Sequence, residues 1–329
     1  MAKTIFRRKK QKRQRLFLVA LACLAAVVLA VGVIAVTLSG HGDETPSSGG
    51  AVETTPTTTR KTLPKAFIDN NTFSPYVVLY DATADEVLYS KNADAQCYPA
   101  SLTKMLTALV TLDYTAAEDV VTVGSEVNMI SPGSSRAYLT AGSKMTITQL
   151  LQALLLPSGN DAAYVIAVHV GRTIAGDPNL DRYAAVNKFC EAMNGKAAAL
   201  GCTGSKFCNP DGYHDNGHYT TANDMLKIAA ATVDTPLLRQ IMSTQRVQTN
   251  LVSGQRVDWQ NSNRLLMPDN AYTYEGAFGL KTGTTDEAGY CLAACAQRDG
   301  HTTITIVMGA DAENGRWDDT RGLLDLSFQ

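Results

Sequence analysis

The chain has no G-x-S-x-G, no H-E-x-x-H and no C-x-x-C anywhere in its 329 residues. The first absence removes the strand-to-helix elbow of many serine hydrolases. The second removes the helical zinc site of the metalloproteases, and the third the usual redox and structural-zinc pair. No internal repeat is present, which excludes solenoid and propeller architectures. Positive charge is also missing where it would matter for nucleic acid. The formal net charge is -2, from 29 Lys and Arg against 31 Asp and Glu. Eight of the cations, from Lys3 to Arg15, fall in the first 15 residues, which carry no acid. The rest of the chain is therefore acidic, with no nucleic-acid character.

The stretch after the basic end is equally uneven. Leu16 to Leu38 run 23 residues without a charge, about 34 Å as a helix and enough to cross a bilayer. Cations before it and Asp43 and Glu44 after it orient the N-terminus to the cytoplasm and the body outside. The apolar run is long for a signal peptide, and "AVTLSG" is a poor cleavage sequence, so a retained anchor is expected. Residues 39–65, rich in Gly, Ser, Thr and Pro, read as a flexible stalk. The expected organisation is a basic cytoplasmic segment (1–15), a transmembrane anchor (16–38), a stalk (39–65) and one exported domain (66–329).

Cys23 lies in the apolar segment. Cys97, Cys190, Cys202, Cys208, Cys291 and Cys295 lie in the body. Spacing alone does not fix a pairing, and a body of this size folds without disulfides. Buried free thiols, with room for one bridge, are expected.

"YVVLYDATADEVLYS" predicts a hairpin turning near Thr83–Glu86. "PASLTKMLTALV" predicts a helix with Leu102, Met105, Leu106, Leu109 and Val110 on a buried face. Thr146 and Gln149 form a capping box for "ITQLLQALLL", which stops at Pro157. "NDAAYVIAVHV", residues 181–200 and "TANDMLKIAAAT" predict further helices. Residues 204–224 read as a long polar loop. From Gly279 the pattern turns to strands, with Asp299-Gly300 as a hairpin turn, and the tail closes as an amphipathic helix. Strands at both ends and helices between them predict a mixed α+β domain, in which helices cover an antiparallel sheet built from both termini.

Three short motifs stand out. Ser101-x-x-Lys104 sets a hydroxyl and an amine one helical turn apart; alone it equally describes a capping serine and a surface lysine. Ser158-Gly159-Asn160 breaks two apolar helices; alone it is an ordinary cap. Lys281-Thr282-Gly283 lies in a strand whose glycine permits close approach; alone it is a lysine-protected edge. In this order and context the three resemble the penicillin-recognising serine enzymes. With "NPDGYHDNGHYTTANDM" and "KTGTTDEAGY", the chain resembles the low-molecular-mass D-alanyl-D-alanine carboxypeptidases from about Ala66 to Phe328.

The resemblance implies a β-lactamase-like fold and an acyl-enzyme on Ser101. Lys104 would be the base and Ser158 a proton relay, while Asn160 would hold Lys104 and the peptide. Lys281 and Thr282 would grip the substrate carboxylate along Gly283 and Thr284, and the N–H groups of Ser101 and Thr284 would face the oxyanion. Physically, a buried lysine near a second cation is lowered in pKa and becomes a base; Lys281 is the expected cation. The implied substrate is a peptidoglycan stem peptide ending in D-Ala-D-Ala, and β-lactams would acylate the same serine. No cofactor or metal is implied.

A DD-endopeptidase or a β-lactamase would share these motifs, although "GRTIAGDPNLDRY" lacks the deacylating glutamate of the common lactamases. A catalytically silent wall-binding or β-lactam-sensing protein is the alternative of another class. His214, Asp215 and His218 have zinc-like spacing but sit between glycines, so they are expected to fix a loop. His169 is expected to be a satisfied core histidine.

Overall fold

A computed structural model describes residues 65–329. The basic segment, the anchor, Cys23 and nearly all of the stalk lie outside the described residues. Among the described residues no helix is long and apolar enough to cross a membrane.

A short helix α1 (Lys65–Asn71) leads into the expected hairpin, β1 (Tyr76–Asp81) and β2 (Glu86–Lys91). A 3₁₀ turn, Ala100–Leu102, opens helix α2 (Thr103–Tyr114). A small ribbon of β3 (Val120–Thr122) and β4 (Lys144–Thr146) precedes α3 (Ile147–Leu155), which carries the Thr146–Gln149 capping box. Helices α4 (Asn160–Ala175), α5 (Arg182–Ala199), α6 (Ala222–Val233) and α7 (Pro236–Ser243) complete the helical lobe. The chain then makes a ribbon of β5 (Arg246–Asn250) and β6 (Arg256–Gln260), three long strands β7 (Ala277–Thr285), β8 (Gly289–Arg298) and β9 (His301–Ala310), and a final helix α8 (Glu313–Ser327).

The main sheet runs β2-β1-β9-β8-β7, antiparallel throughout. It is assembled from both ends of the domain, as the pattern predicts. Tyr76 of β1 pairs with Met308 of β9. Asp299 and Gly300 take positive φ angles of 48° and 81°, the geometry of a tight hairpin turn. Strand β8 is buried on both faces. Leu292, Ala294 and Ala296 join Trp317 and Leu324 of α8, whereas Cys291, Ala293 and Cys295 face the core of the helical lobe. That double burial explains its almost unbroken apolar run.

Helix α2 departs from the one-sided face expected of it. Every residue from Thr103 to Thr111 is buried, because α3, α4, α5 and α6 all pack around it. Its polar positions are satisfied inside: Thr107 Oγ1 donates to Pro210 O at 2.7 Å and Thr111 Oγ1 to Thr107 O at 2.7 Å. Truncating Leu106, with no exposure at all, would cost about 2–5 kcal/mol.

The sequence reading did not include α1, the β3–β4 ribbon, α7 or the β5–β6 ribbon. The β5–β6 ribbon is mostly polar; only Val257 and Trp259 are buried, and the Trp259 indole donates to Ala137 O at 3.0 Å. Strand β7 begins at Ala277, before Gly279.

Candidate active site

The chain approaches Ser101 through strained backbone. Ala100 has a φ of +46°, a left-handed conformation costing a non-glycine residue about 1 kcal/mol. Two glycines make room for this turn. Gly212, at φ +80°, lies so close to the Ala100 carbonyl that a Cβ would overlap it. A Cβ on Gly283 would meet Ser101 N at 3.0 Å and Ala100 Cβ at 3.1 Å. The close approach expected at Gly283 is thus made by the protein's own serine turn.

Lys104 rises one turn after Ser101 and is completely buried. Its Nζ donates to Ser101 Oγ at 2.6 Å, Asn160 Oδ1 at 2.8 Å and Asp211 O at 2.8 Å. Three acceptors match the three hydrogens of an ammonium. When the amine is neutral, its two remaining hydrogens serve Asn160 and Asp211, and its lone pair accepts the Ser101 hydroxyl proton. Burial lowers the Lys104 pKa from 10.5 to about 8, against the opposing pull of the Asp211 and Asp161 carboxylates. Of the two causes expected, burial does the lowering, and Lys281 adds nothing resolved to it.

Lys281 is also entirely buried, with Nζ donating to Thr282 O at 3.0 Å. Burial first, then Lys104 and Arg316, push its pKa well below the lysine value. Beside Lys281, Thr282 Oγ1 shares a hydrogen bond of 2.7 Å with Ser262 Oγ. Arg316 of α8 donates to Gly283 O at 3.2 Å and Thr284 Oγ1 at 3.0 Å, anchoring this stretch of β7 from behind.

Asn160 is the first residue of α4, and the next residue fixes the wall above it. The Asp161 carboxylate accepts the backbone N–H groups of Ala137 and Leu139 at 2.9 and 3.0 Å. Ser158 is buried two residues before Asn160, in left-handed backbone at φ +63°. Its hydroxyl takes part in no hydrogen bond among the described residues. Ser101, Lys104 and Asn160 thus form one hydrogen-bonded network, with Ser158 beside it in sequence but outside it. A cleft of about 360 Å³ opens over Ser101, Asn160 and Thr284.

Three contributors went unread in the sequence. Asp211 acts through its carbonyl, which no residue type reveals. Arg316 and Ser262 come from distant elements with no spacing to link them to the motifs. The histidines of the 204–224 loop behave as expected of a local structural set. Cys208 N–H donates to His218 Nδ1 at 3.0 Å, so Nε2 carries the proton and faces Thr103 Oγ1 at 2.9 Å. Burial lowers the His218 pKa to about 4, so the ring is neutral. Asp215 Oδ1 accepts Gly217 N–H at 2.7 Å. Among the described residues no group of three or more His, Cys, Asp or Glu could hold a metal ion. His169 is less enclosed than expected: it is half-buried, and its ring makes no hydrogen bond among the described residues. All six described cysteines are free thiols, and all but Cys208 are buried.

An antiparallel sheet flanked by helices, with a serine and a buried lysine meeting against its edge strand, is the architecture of the DD-peptidases. The crystal structure of the Streptomyces K15 DD-transpeptidase matches with a TM-score of 0.72 at 31% identity, over 78% of this chain and 97% of that one. The chain belongs to the D-alanyl-D-alanine carboxypeptidase family, Peptidase_S11, whose model matches residues 68–312. D-alanyl-D-alanine carboxypeptidase DacF of Bacillus subtilis (strain 168) is 30% identical over 254 residues, 76% of this chain and 61% of the relative. The D-alanyl-D-alanine carboxypeptidase of Streptomyces sp. (strain K15) is 32% identical over 254 residues, 73% of this chain and 82% of the relative. DacC of Escherichia coli (strain K12) is 32% identical over 262 residues, 77% and 60% of the two chains. This chain therefore spans about three fifths of the Bacillus and Escherichia relatives.

Proposed function

We propose that this chain is a serine D-alanyl-D-alanine carboxypeptidase that removes the terminal D-alanine of peptidoglycan stem peptides. The observation that carries the proposal is the contact of 2.6 Å between Ser101 Oγ and a fully buried Lys104 whose pKa is lowered to about 8. A serine hydroxyl is a weak nucleophile until a base takes its proton, and a desolvated lysine is such a base.

In the first step Ser101 Oγ attacks the carbonyl carbon between the two D-alanines while its proton passes to neutral Lys104 Nζ. The oxyanion forms against the N–H groups of Ser101 and Thr284. The C–N bond then breaks, and the proton returns through Ser158 to the departing amine. Water, deprotonated by the same lysine, attacks the ester and frees Ser101. Asn160 orients both Lys104 and the substrate amide. Lys281, with Thr282 and Thr284, holds the terminal carboxylate. That anion favours the protonated form of Lys281 over the neutral one that burial imposes.

A β-lactam presents an amide and a carboxylate in the same relation and acylates Ser101. On this reading residues 1–15 are cytoplasmic, residues 16–38 cross the membrane, residues 39–65 are a stalk and residues 66–329 work outside. The test is labelling with a fluorescent penicillin, together with D-alanine release from a peptide ending in D-Ala-D-Ala. Ser101→Ala is expected to lose both. Retained labelling would move the nucleophile elsewhere, and labelling by the native enzyme without D-alanine release would favour a β-lactam sensor.

A second reading differs only in the acceptor. The structural neighbour is named a DD-transpeptidase, and an amine in place of water would make a new peptide bond. Adding a free amino acceptor and assaying for the joined product separates the two.

A further inference from the structure

Beyond the carbonyl that accepts Lys104, Asp211 carries a buried carboxylate that the reaction drawn above leaves idle. The residue is 1% exposed. Its carbonyl oxygen lies 2.8 Å from Lys104 Nζ and 3.5 Å from Ser101 Oγ, so the side chain is rooted beside the reacting pair. Oδ1 accepts the Tyr213 N–H at 3.1 Å, whereas Oδ2 is buried with no hydrogen-bond partner among the described residues. A buried carboxylate left so bare needs a cation nearby. Asp161 is the contrasting case: its carboxylate is taken up by the N–H groups of Ala137, Leu139 and Ala162. Among the described residues the buried basic side chains are Lys104, Lys281 and Arg316. Arg316 of α8 pairs with Glu313 at 3.5 Å, and Lys281 of β7 donates to Thr282 O. Only Lys104 is held on the backbone of Asp211 itself. The remaining titratable neighbours carry no charge. Burial above all raises Tyr164 of α4 and Cys190 of α5, with Asp211 adding to both, and burial keeps His218 neutral.

We infer that the ionised Asp211 side chain is a positioning residue for the acyl transfer, stabilising through space the ammonium that forms on Lys104 as Ser101 Oγ gives up its proton. The role goes beyond the function proposed above and rests on it. As Ser101 attacks, its O–H bond breaks, an N–H bond forms at Lys104 Nζ, and no proton reaches the carboxylate. The new positive charge appears beside a negative charge already in place and shielded from water. The same pull acts before substrate binds. Burial lowers the Lys104 pKa, and Asp211 opposes it ahead of Asp161. Burial raises the Asp211 pKa, and Lys104 is the first group to pull it back down. Removing the carboxylate charge should therefore have two effects. Lys104 becomes neutral at lower pH, and as a weaker base it drives a slower attack once neutral.

The test is the pH profile of the second-order acylation rate with a fluorescent penicillin. Asp211→Asn keeps an acceptor for the Tyr213 N–H and removes the charge. Its acid limb should move toward acid by about one pH unit, and its plateau should fall about tenfold. Asp211→Ala removes the charge without adding a buried amide, and the same shift is expected if the asparagine variant fails to fold. A lower plateau with the acid limb at its native pH is the signature of a structural role and would overturn the inference. An unchanged profile would overturn it too, since the carboxyl would then be uncharged or too remote to act. In both cases the carboxypeptidase reading stands. If the native protein is neither acylated nor releases D-alanine, that reading falls and this inference falls with it.

Discussion

Replacing Lys104 by methionine separates chemistry from folding. The amine makes three hydrogen bonds, to Ser101 Oγ, Asn160 Oδ1 and Asp211 O. Methionine fills nearly the same volume but leaves the buried Asn160 and Asp211 acceptors without a donor, at about 1–3 kcal/mol each. Against this, the fold no longer carries a desolvated ammonium. The displacement of the Lys104 pKa from 10.5 to about 8 corresponds to about 3 kcal/mol. The two effects largely cancel, and a net loss of up to about 3 kcal/mol lowers the melting temperature by about 10 °C at most in a domain of this size. Loss of a positioned general base costs about 10²–10⁴-fold. The expected outcome is a folded protein whose acylation by a fluorescent penicillin falls by at least about 100-fold. Calorimetry and stopped-flow labelling read the two quantities separately. Acylation at the native rate in folded Lys104→Met would refute the role of this lysine.

The acid–base behaviour comes from the same group. A lysine lowered to about 8 is mostly protonated at neutral pH, and its basic form grows as pH rises through that value. The second-order acylation rate should climb about tenfold per pH unit between roughly 5 and 7 and level off above roughly 8; a flat profile would reject a titrating base. Gly212→Ala forces a side chain into the Ala100 carbonyl at a positive φ. It should destabilise the domain by more than about 2 kcal/mol and slow acylation, read by thermal melting and labelling; a variant that melts and labels like the native protein would contradict the packing around Ser101. A chelator should leave the turnover rate unchanged, and a loss restored by zinc would revive a metal mechanism.

The parts of the fold legible in the sequence were those with strong local rules. Thr146 and Gln149 announce a helix start, and Asp299-Gly300 announces a turn between strands. The β5–β6 ribbon was not legible, because most of its side chains face solvent and its stability comes from Trp259 reaching Ala137. The first two motifs named three members of one hydrogen-bonded network, Ser101, Lys104 and Asn160, and burial was the expected reason for a lowered Lys104 pKa. The completeness of that burial was not legible, because it depends on four other helices packed around α2. Asp211 was invisible for a simpler reason: it contributes a backbone oxygen, and a backbone oxygen has no letter.

The pairing of β1 with β9 has a consequence for how the molecule comes into being. An interior strand made near the start of the domain must wait for a neighbour made near its end. During vectorial synthesis or passage through a pore, β1 and β2 emerge as an unsupported hairpin. The whole helical lobe then has to be held in a productive arrangement before the last strands arrive to close the sheet. Such long-range closure is slow and leaves apolar edges uncovered meanwhile. Maturation of this domain should therefore be governed by the arrival of its final segment, and an interruption anywhere in β8 or β9 would strand every earlier element without a completed sheet to dock on.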